Sequence, residues 1–380
     1  MLIQREIEPK IKKFLIKSKF RLLFIWGPRR SGKTTLLRKL AKEYKIPIFD
    51  FDFLSEREKF LPTKEALEKI AAEHKIILID EVQNAPEATV ALKILVDHFK
   101  VKIIATGSSE LRQKSGEDFD SLADRFEEYF CLPLITEEII NNTALKKYEV
   151  GAFTQILLEK LQIFGGYPEI YSGNLAETEK IGKLQKIVDA YVLKDIIDIY
   201  DLKNTKLAKD ILTKIALQLG SEVSVREIAS SLGANMVTVS NYIEIFIRNY
   251  ILIPLPAFKT NLRRAVSENR KLYFYDLGIR NALIRDFRET KLRQDAGGVW
   301  ENLVISELAK TRLIKNKQET FYFYREYSGK EVDLVIEDYK KRYKCLEIKK
   351  SGKKISRVFP LKHRLKSITQ KNFIEQLTSK

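Results

Sequence analysis

A glycine-rich stretch near the start of the chain has the residue types and spacing that bind phosphate. Gly27-Pro-Arg-Arg-Ser-Gly-Lys-Thr34 follows the apolar run Leu22–Trp26 and precedes a helical pattern. Glycines let the backbone bend around a phosphate, and N–H groups at a helix start face its negative charge. We expect Lys33 to reach the β- and γ-phosphates of ATP and the Thr34 hydroxyl to ligate Mg²⁺. The alternative is a turn that binds nothing. The residues predicted to bind the nucleotide here are Gly27, Pro28, Arg29, Arg30, Ser31, Gly32, Lys33, Thr34 and Thr35.

Two acids close a second apolar run, IILIDEVQ. Asp80 and Glu81 thereby lie at the carboxyl end of a predicted buried strand, where α/β sheets bind ligands. We expect Asp80 to hold Mg²⁺ directly or through water, and Glu81 to be the general base that polarises the attacking water. A strand that merely ends in two acids is the alternative. Ser108, which follows the next strand, is placed to sense the γ-phosphate or forms a plain turn.

The order of apolar runs and helical patterns predicts the elements that must position these residues. Strands that alternate with helices indicate an α/β fold with a mostly parallel sheet and helices on both faces. The predicted elements are a helix within residues 1–19, strands Leu22–Trp26 and Ile46–Phe53, helix Thr63–Glu73, strand Ile76–Asp80, helix Glu87–Phe99, and strands Val101–Thr106 and Phe126–Leu132.

The composition of the chain limits the partners, metal sites and cellular location that can be expected. The 380 residues carry a net charge of +17, which favours a polyanionic partner such as nucleic acid, or else reflects solubility or a lysine-rich proteome. Two cysteines, Cys131 and Cys345, and three scattered histidines argue against a zinc cluster or a disulfide framework. No apolar run approaches the ~20 residues of a membrane span, and the N-terminus lacks a secretory signal. We therefore expect a cytoplasmic protein without a membrane partner.

The middle of the chain is predicted to be helical, and its last part has helix-turn-helix spacing. Ala229, Gly233 and Val239 supply the small residue at the helix contact, the turn glycine and the branched residue of the second helix. A strand at Ile251–Ile253 and the basic stretch from Lys259 would complete a winged helix. Such a module binds DNA or docks onto a protein. The outward side chains predicted on the second helix are Asn235, Thr238, Ser240 and Asn241, and the wing is placed at residues 259–264.

Near the C-terminus, three strands follow a long helix and carry acids at two-residue spacing. A hairpin centred near Lys340 would place Asp333 opposite Glu347, with Lys349 on the same face as Glu347. Glu301, from the preceding helix, would complete a metal-dependent phosphodiesterase site. The acidic oxygens would hold Mg²⁺, and Lys349 would orient or activate water.

Alternatives remain for this C-terminal face. It could be a solvated sheet face with cross-strand ion pairs, such as Glu331 with Lys349. The segment after Lys349 is short and very basic, and no clear helix and strand can be read in it. Its cations would hold nucleic-acid phosphates or form a solvated tail.

Five motifs in order, GPRRSGKTTLLR, LIDEVQ, ATGSS, SLADR and GGYPE, resemble the AAA-type ATPases of archaea and bacteria that carry a C-terminal domain of unknown function, DUF4143. The pattern E…EVD…EIK in that domain resembles the PD-(D/E)xK nuclease fold. The resemblance implies ATP hydrolysis with Mg²⁺. It also implies that Arg125 stabilises the transferring phosphoryl group, in its own or in a neighbouring subunit, unless it pairs with Asp124, Glu127 or Glu128. Pro168 would lie in a turn that contacts adenine, or in a tight turn between lid helices.

These inferences give four predicted domains and three functional hypotheses. The domains are an ATPase core at 1–135, a helical lid with connecting helices at 136–202, a winged helix at 203–269 and a nuclease-like domain at 270–380. The first hypothesis is an ATP-regulated enzyme that processes DNA. The second is a nucleotide switch that binds a protein partner or a second copy of itself, with an inactive nuclease fold. The third is a DNA-binding regulator that does not cleave.

Overall fold

In the computed structural model, the apolar runs of the first third of the chain form a five-stranded sheet. All neighbouring strands are parallel, in the order β2-β3-β4-β1-β5. The interior strand β1 is buried along its whole length, as expected for a parallel sheet covered on both faces. The predicted α/β fold with a parallel sheet is confirmed. The strands are β1 (Leu22–Trp26), β2 (Ile48–Asp50), β3 (Ile76–Asp80), β4 (Lys102–Gly107) and β5 (Phe126–Phe130).

The structure describes residues 3–107, 119, 122, 124–195, 204–259, 270–326, 328–350 and 358–378. The chain divides into two compact units. One comprises residues 4–132, and the other comprises residues 133–380 together with the first three residues. The four-domain division stays a prediction.

Local sequence signals explain where two helices of the first unit begin. Thr63 caps its helix by accepting a hydrogen bond from the Ala66 N–H, and Pro9 at the start of another helix needs no hydrogen-bond partner for its nitrogen. The strand predicted at Ile46–Phe53 is shorter, because the Phe53 N–H bonds the Asp50 carbonyl and turns the chain. The helices are α1 (Glu8–Lys17), α2 (Lys33–Tyr44), α3 (Leu54–Arg57), α4 (Lys64–Glu73) and α5 (Ala88–Asp97).

The second unit begins with helices, as the spacing of apolar residues predicts. A π-helix continues α9 over Val188–Asp195. The helix α10 packs against the two helices that follow it, and its Ala208, Ile211 and Leu212 are buried in their common core. These helices are α6 (Thr136–Asn141), α7 (Val150–Phe164), α8 (Pro168–Tyr171), α9 (Glu177–Ile187) and α10 (Thr205–Leu217).

Two further helices are joined by a tight turn. The helices α11 (Val225–Leu232) and α12 (Met236–Arg248) meet at Gly233, whose φ of 61° lies in the left-handed region. As predicted, Ala229 and Val239 are buried where the helices pack. Of the side chains expected to face outward, Asn241 is exposed and Thr238 and Ser240 are half-buried. Exposed Asn235 caps α12 by accepting a hydrogen bond from the Val237 N–H.

A three-stranded antiparallel sheet frames these helices in the order β6-β8-β7. Its strands are β6 (Glu222–Val223), β7 (Leu252–Pro256) and β8 (Arg270–Phe274). The predicted domain boundary at 269/270 therefore falls directly before a strand that pairs with β6 and β7. Of the predicted wing, Lys259 is described, and residues 260–264 lie outside the described part of the chain.

The last part of the chain forms a four-stranded mixed sheet against a long helix. Its order is β12-β11-β10-β9, with β12 parallel to β11 and the other pairs antiparallel. Leu334 pairs with Leu346 and Glu337 with Tyr343, so the hairpin is centred at residue 340 as predicted. The expectation of no clear strand after Lys349 is wrong, because β12 extends the sheet there. The elements are α13 (Leu277–Ile284), α14 (Ala296–Lys315), β9 (Glu319–Arg325), β10 (Glu331–Asp338), β11 (Tyr343–Ile348), β12 (His363–Ile368) and α15 (Phe373–Thr378).

No helix in the described ranges is both long and apolar enough to cross a lipid bilayer.

Candidate functional site

The glycine-rich loop lies between β1 and α2, as predicted, and its glycines are needed there. A Cβ added at Gly27 would lie 1.9 Å from the Cys131 carbonyl oxygen, so only glycine fits this close approach. Gly32 has a φ of 100°, in the region that glycine tolerates, and it precedes the first turn of α2. The Ser31 hydroxyl donates to the Pro28 carbonyl at 2.8 Å and closes the loop on itself. This leaves the first N–H groups of α2 at the mouth of the loop.

Lys33 is folded back over this loop. Its ammonium donates to the carbonyl oxygens of Gly27 at 2.9 Å and Pro28 at 3.0 Å, and the residue is only 3% exposed. Both partners are neutral. A phosphate anion can therefore replace them as the partner of the ammonium without leaving a buried charge unpaired.

Asp80 connects the end of β3 with the phosphate loop. The Thr106 hydroxyl of β4 donates to Asp80, and the Thr34 side chain also hydrogen-bonds this carboxylate. Burial raises the pKa of Asp80, while the two threonine hydrogen bonds oppose that rise. A hydroxyl and a carboxylate are hard oxygen donors of the kind that Mg²⁺ prefers, so the residues present fit this ion.

Glu81 begins the turn after β3 with a φ of 54°, an uncommon value for a residue with a side chain. Its carboxylate accepts a hydrogen bond from the Gln83 side-chain amide. The sequence interpretation overlooked Gln83, although its polar side chain two residues after the acid was a usable signal. Gln83 is buried and fixes the orientation of the Glu81 carboxylate.

A further pair of acids lies at the same edge of the sheet. Asp50 at the end of β2 pairs in register with Asp80, and Asp52 follows it in a turn. Burial raises the pKa of Asp52, and the nearby carboxylates of Asp50 and Glu81 add to the rise, while Arg29 opposes it. Arg29 of the loop thus faces this acidic edge.

Arg5, which the sequence analysis does not predict, connects the phosphate loop with the segment after β5 through hydrogen bonds. Its guanidinium donates to the Ser31 carbonyl at 2.7 Å, to the Cys131 sulfur at 3.3 Å and to the Leu132 carbonyl. The residue is buried, and its partners lie in the loop and in the segment after β5. No motif in the sequence connects residue 5 with this loop, so the contact is visible only in the folded chain.

Of the other predicted residues, Arg125 does not lie at this edge. Thr35 is exposed on the first turn of α2, and Ser108 lies outside the described residues. Arg125 precedes β5, whose residue Phe126 pairs with Leu22 at the start of β1. The phosphate loop follows the other end of β1, so Arg125 is at the opposite edge of the sheet. It forms an ion pair with Asp97 at 3.0 Å, which none of the predicted pairings named.

The Gly-Gly-Tyr-Pro segment forms the turn between α7 and α8, with Pro168 as the first residue of α8. The Gly166 N–H donates to buried Asp276 at 2.7 Å, and the Gly166 carbonyl accepts from the Leu134 N–H. Burial raises the pKa of Asp276, and the Gly166 and Ile279 N–H groups oppose the rise. The turn between helices is therefore present, and the adenine contact of Pro168 stays a prediction.

In the C-terminal region, three acids surround a buried lysine. Glu331 and Glu301 accept from the Lys271 ammonium of β8, the latter at 3.4 Å, and Tyr273 donates to Glu301 at 2.5 Å. Burial lowers the pKa of Lys271, but the two carboxylates outweigh it and the pKa is raised. Burial and the neighbouring Glu301 raise the pKa of Asp333 to about 7. We call Glu301, Glu331 and Asp333 the C-terminal acidic cluster.

The predicted partners Glu347 and Lys349 pair with each other at 2.6 Å, as expected for residues on one face of a strand. Asp333 accepts from the Ile348 N–H at 2.6 Å, which agrees with its predicted place across the hairpin from Glu347. Glu331, expected in one alternative to pair with Lys349, bonds Lys271 and Arg325. Within the described ranges, no three acidic, histidine or cysteine side chains form a group that could hold a metal ion.

Comparison with known proteins gives three domain matches. Residues 19–140 match an AAA domain, residues 155–290 a domain of unknown function (DUF8612), and residues 296–376 a domain of unknown function (DUF4143). The uncharacterized protein MJ1544 of Methanocaldococcus jannaschii is 30% identical over 353 residues, which are 88% of this chain and 75% of that protein. The chain belongs to this family of AAA-domain proteins.

Members of this family occur in bacteria as well as archaea. The uncharacterized protein Rv2008c of Mycobacterium tuberculosis is 25% identical over 322 residues, which are 83% of this chain and 67% of that protein. Among solved structures, a Walker-type ATPase of Pyrococcus abyssi, paby2304, is 16% identical with a TM-score of 0.48, covering 74% of this chain and 96% of that one. The AAA match makes the first unit a P-loop ATPase domain, a fold that implies nucleotide binding.

Proposed function

We propose that this protein hydrolyses ATP with Mg²⁺ and uses the nucleotide cycle to control a second unit that binds DNA. One observation carries the first part: the Asp80 carboxylate hydrogen-bonds Thr34, the residue directly after Lys33. The two motifs that the sequence separates by about 45 positions therefore meet at one edge of the sheet. Loop, cation, hydroxyl and acid are together where phosphoryl transfer needs them.

The chain's own residues supply the following steps. Lys33 exchanges its carbonyl partners for the β- and γ-phosphate oxygens, and the first N–H groups of α2 bind the same anion. Thr34 and Asp80 would hold Mg²⁺, which would supply positive charge that offsets the negative charge developing in the reaction. Glu81, turned from Gln83 toward the attacking water, accepts its proton as the water oxygen bonds the γ-phosphorus. The bond to the bridging oxygen breaks, and ADP leaves with that electron pair.

An assay of phosphate release from ATP distinguishes the proposed roles of Glu81 and Lys33. We expect Glu81→Gln to keep ATP affinity and lose hydrolysis by at least about 100-fold, because the base is gone and the binding loop is intact. Lys33→Ala should lose affinity. Exposed Glu87 on the same segment provides the matched control, and Glu87→Gln should hydrolyse normally. Normal hydrolysis by Glu81→Gln would overturn the assignment of the base.

Arg125 cannot serve the phosphate loop of its own chain, because it lies at the other edge of the sheet. If it stabilises the transferring phosphoryl group, it does so for a neighbouring copy. We therefore expect the specific activity to rise with protein concentration and this rise to vanish in Arg125→Ala. Pro168 is proposed to contact the adenine ring, and Ser108 to sense the γ-phosphate.

The arrangement of the second unit supports DNA binding. The order α10, β6, α11, α12, β7, β8, with a sheet in the order β6-β8-β7, supports the proposal of a winged helix. In the last sheet, Lys344 pairs with Arg364 and Leu346 with Lys366, so three cations share one face near the edge strand β12. Burial lowers the pKa of Lys344, and neighbouring Lys366 adds to this. Cations held this close together favour a polyanion as partner.

Binding to duplex DNA at several salt concentrations tests this part. We expect the logarithm of affinity to fall linearly with the logarithm of salt, and Lys366→Ala to reduce the slope by about 1. A protein partner is the second candidate, because Met236 and Val237 at the start of α12 are 43% and 66% exposed. Salt-independent or absent DNA binding would favour that candidate.

The C-terminal region also supports a nuclease-like domain. This proposal is supported by a helix that carries Glu301, next to a sheet, built of three antiparallel strands and a parallel fourth strand, that carries Asp333 and Glu347, with Lys349 directly after β11. A catalytic Mg²⁺ does not fit these residues as they are arranged, since one oxygen of each carboxylate is already engaged by a lysine or a backbone N–H. The nuclease-like fold of this domain is therefore proposed without cleavage.

A further inference from the structure

We propose that the Lys271 ammonium occupies the place of the divalent cation in the C-terminal acidic cluster, so that this domain binds no catalytic metal and does not cleave. The inference goes beyond the proposed function. It rests on the nuclease-like arrangement described there, and it does not depend on ATP hydrolysis. It concerns a residue on β8, outside the motifs that carry the nuclease resemblance.

The position of Lys271 is the first support. Lys271 is 2% exposed, and its ammonium contacts Glu331 Oε1 and Glu301 Oε1 while lying 5.4 Å from the centre of the Phe323 ring. A compact cation at the meeting point of carboxylates from a helix and a strand fills the space that a bound ion would need.

The second support is that protein donors also engage other lone pairs of this cluster. Tyr273 donates to Glu301 Oε1, the oxygen that Lys271 also contacts, and Arg325 donates through two nitrogens to Glu331 Oε2. Asp333 accepts from the Ile348 N–H. Metal ligands need free lone pairs directed at one point. Glu301 Oε1, both oxygens of Glu331 and Asp333 Oδ2 direct lone pairs at protein donors instead.

The third support is that β8 holds Lys271 firmly. The strand pairs with β7 over five residues and with β6 over two, and its neighbours Leu272 and Tyr273 are buried. The lysine is therefore part of a sheet and not a mobile side chain at a cleft entrance. A dication beside it would meet a fixed positive charge at close range.

Binding of Mn²⁺ tests the proposal directly. All chains would carry Asp80→Asn and contain no nucleotide, which removes a ligand of the nucleotide site, and calorimetry or the electron paramagnetic resonance of free Mn²⁺ would count bound ions. We expect Asp333→Asn to change nothing in this background. Adding Lys271→Met should create one site with a Kd below about 1 mM, and adding Asp333→Asn to that chain should remove it.

Two results would overturn the proposal. One is an Mn²⁺ site in the chain with Lys271 intact that Asp333→Asn removes. The other is a folded Lys271→Met chain that gains no site. If Lys271→Met does not fold, the comparison of Lys271-containing chains with and without Asp333→Asn still decides. DNA cutting by the wild-type protein that is lost in Asp333→Asn would also contradict it, whereas ATP hydrolysis measured with Asp80 intact reports separately on the proposed function.

Discussion

Two buried lysines of this protein, Lys33 and Lys271, differ in their hydrogen-bond partners. Lys33 is 3% exposed and bonds two backbone carbonyls of its own loop. Lys271 is 2% exposed and bonds the carboxylates of Glu331 and Glu301. Equal burial thus accompanies neutral partners in one region and charged partners in the other.

The difference indicates that Lys33 is available to bind a ligand, whereas Lys271 already serves as the counterion of Glu301 and Glu331. When the Lys33 ammonium leaves a carbonyl oxygen, it loses one modest hydrogen bond, and the charge-assisted bond to a phosphate is stronger. If the Lys271 ammonium left its two buried carboxylates, two negative charges would remain close together in a poorly solvated place. The identity of the partner, more than burial or spacing in the sequence, therefore indicates which lysine can bind a substrate.

The same substitution at both lysines should give the largest contrast. We expect Lys271→Met to lower the free energy of unfolding by about 3–5 kcal/mol, because it leaves a buried acidic cluster without its cation. Lys33→Met should cost less than about 1.5 kcal/mol, because only neutral carbonyls lose a donor. Urea unfolding of both variants measures these values. Nucleotide binding should be lost in Lys33→Met alone.

A reversed order of these two stability losses would remove the distinction drawn between the lysines. Equal losses would mean that Lys33 is as structural as Lys271. The ATP affinity of Lys271→Met is the internal control, since the substitution leaves every residue of the phosphate loop in place.

The pH dependence of stability should report on Asp333. Its pKa is raised to about 7 in the folded protein, against about 3.9 in an unfolded chain. The folded state therefore binds more protons between those values, and stability falls as the pH rises toward 7. Relative to Asp333→Asn, the wild-type protein should lose about 3 kcal/mol between pH 5 and pH 8.

Unfolding curves at intervals across that range check the sign as well as the size. A wild-type protein that gains stability over Asp333→Asn as the pH rises would mean that Lys271 overcompensates the buried charge. Asp338, a half-buried acid at the end of the same strand, gives the control substitution Asp338→Asn. Hydrogen bonds from the Arg342 backbone lower the pKa of Asp338, so its contribution has the opposite direction.

The sequence predicts most of the first unit because local signals and long-range packing agree there. The strand at Ile76–Asp80 has its predicted bounds, and Thr63 begins the predicted helix as its cap. The hairpin of the last sheet was also predictable, since its turn lies midway between two apolar strands with matching faces. The strand β12 was missed because its cations hide the alternation that usually marks a strand.

The candidate sites were predictable only where their residues are close in sequence. Lys33 and Thr34 share one motif, whereas Arg5 and Lys271 reach their partners across long stretches of chain. A signal for Lys271 did exist, because a lysine and a tyrosine alternate with apolar residues in KLYFY. Period two puts both on one face of a strand, but only the fold shows that this face meets Glu301.

Arg5 tests whether the phosphate loop depends on support from outside its motif. We expect Arg5→Ala to weaken ATP binding by about 10-fold, because the Ser31 and Leu132 carbonyls lose their common donor and the loop loosens. Arg5→Lys should recover part of the loss. Titration with a fluorescent ATP analogue measures the affinity, and Arg21→Ala on the same unit is the matched control. Unchanged ATP affinity in Arg5→Ala would mean that the residues of the phosphate loop hold its conformation without Arg5.

The smallest effects should come from removing one hydroxyl donor in each region, with Thr106→Val and Tyr273→Phe. Each donor bonds a carboxylate, Asp80 in the first case and Glu301 in the second. Losing the Thr106 hydroxyl should raise the pKa of Asp80 further, since that bond opposes the rise due to burial. The acidic limb of the hydrolysis profile should therefore move to higher pH, with an activity loss of about 3-fold at neutral pH.

Tyr273→Phe should leave that profile unchanged and lower the free energy of unfolding by about 1 kcal/mol, the usual value of one hydrogen bond to a buried group. A displaced pH profile in Tyr273→Phe would show that the C-terminal acidic cluster influences hydrolysis. A stability loss without a displaced profile in Thr106→Val would instead make Asp80 a structural acid like Glu301. Measured side by side, the two variants decide whether each carboxylate serves a ligand or only its own fold.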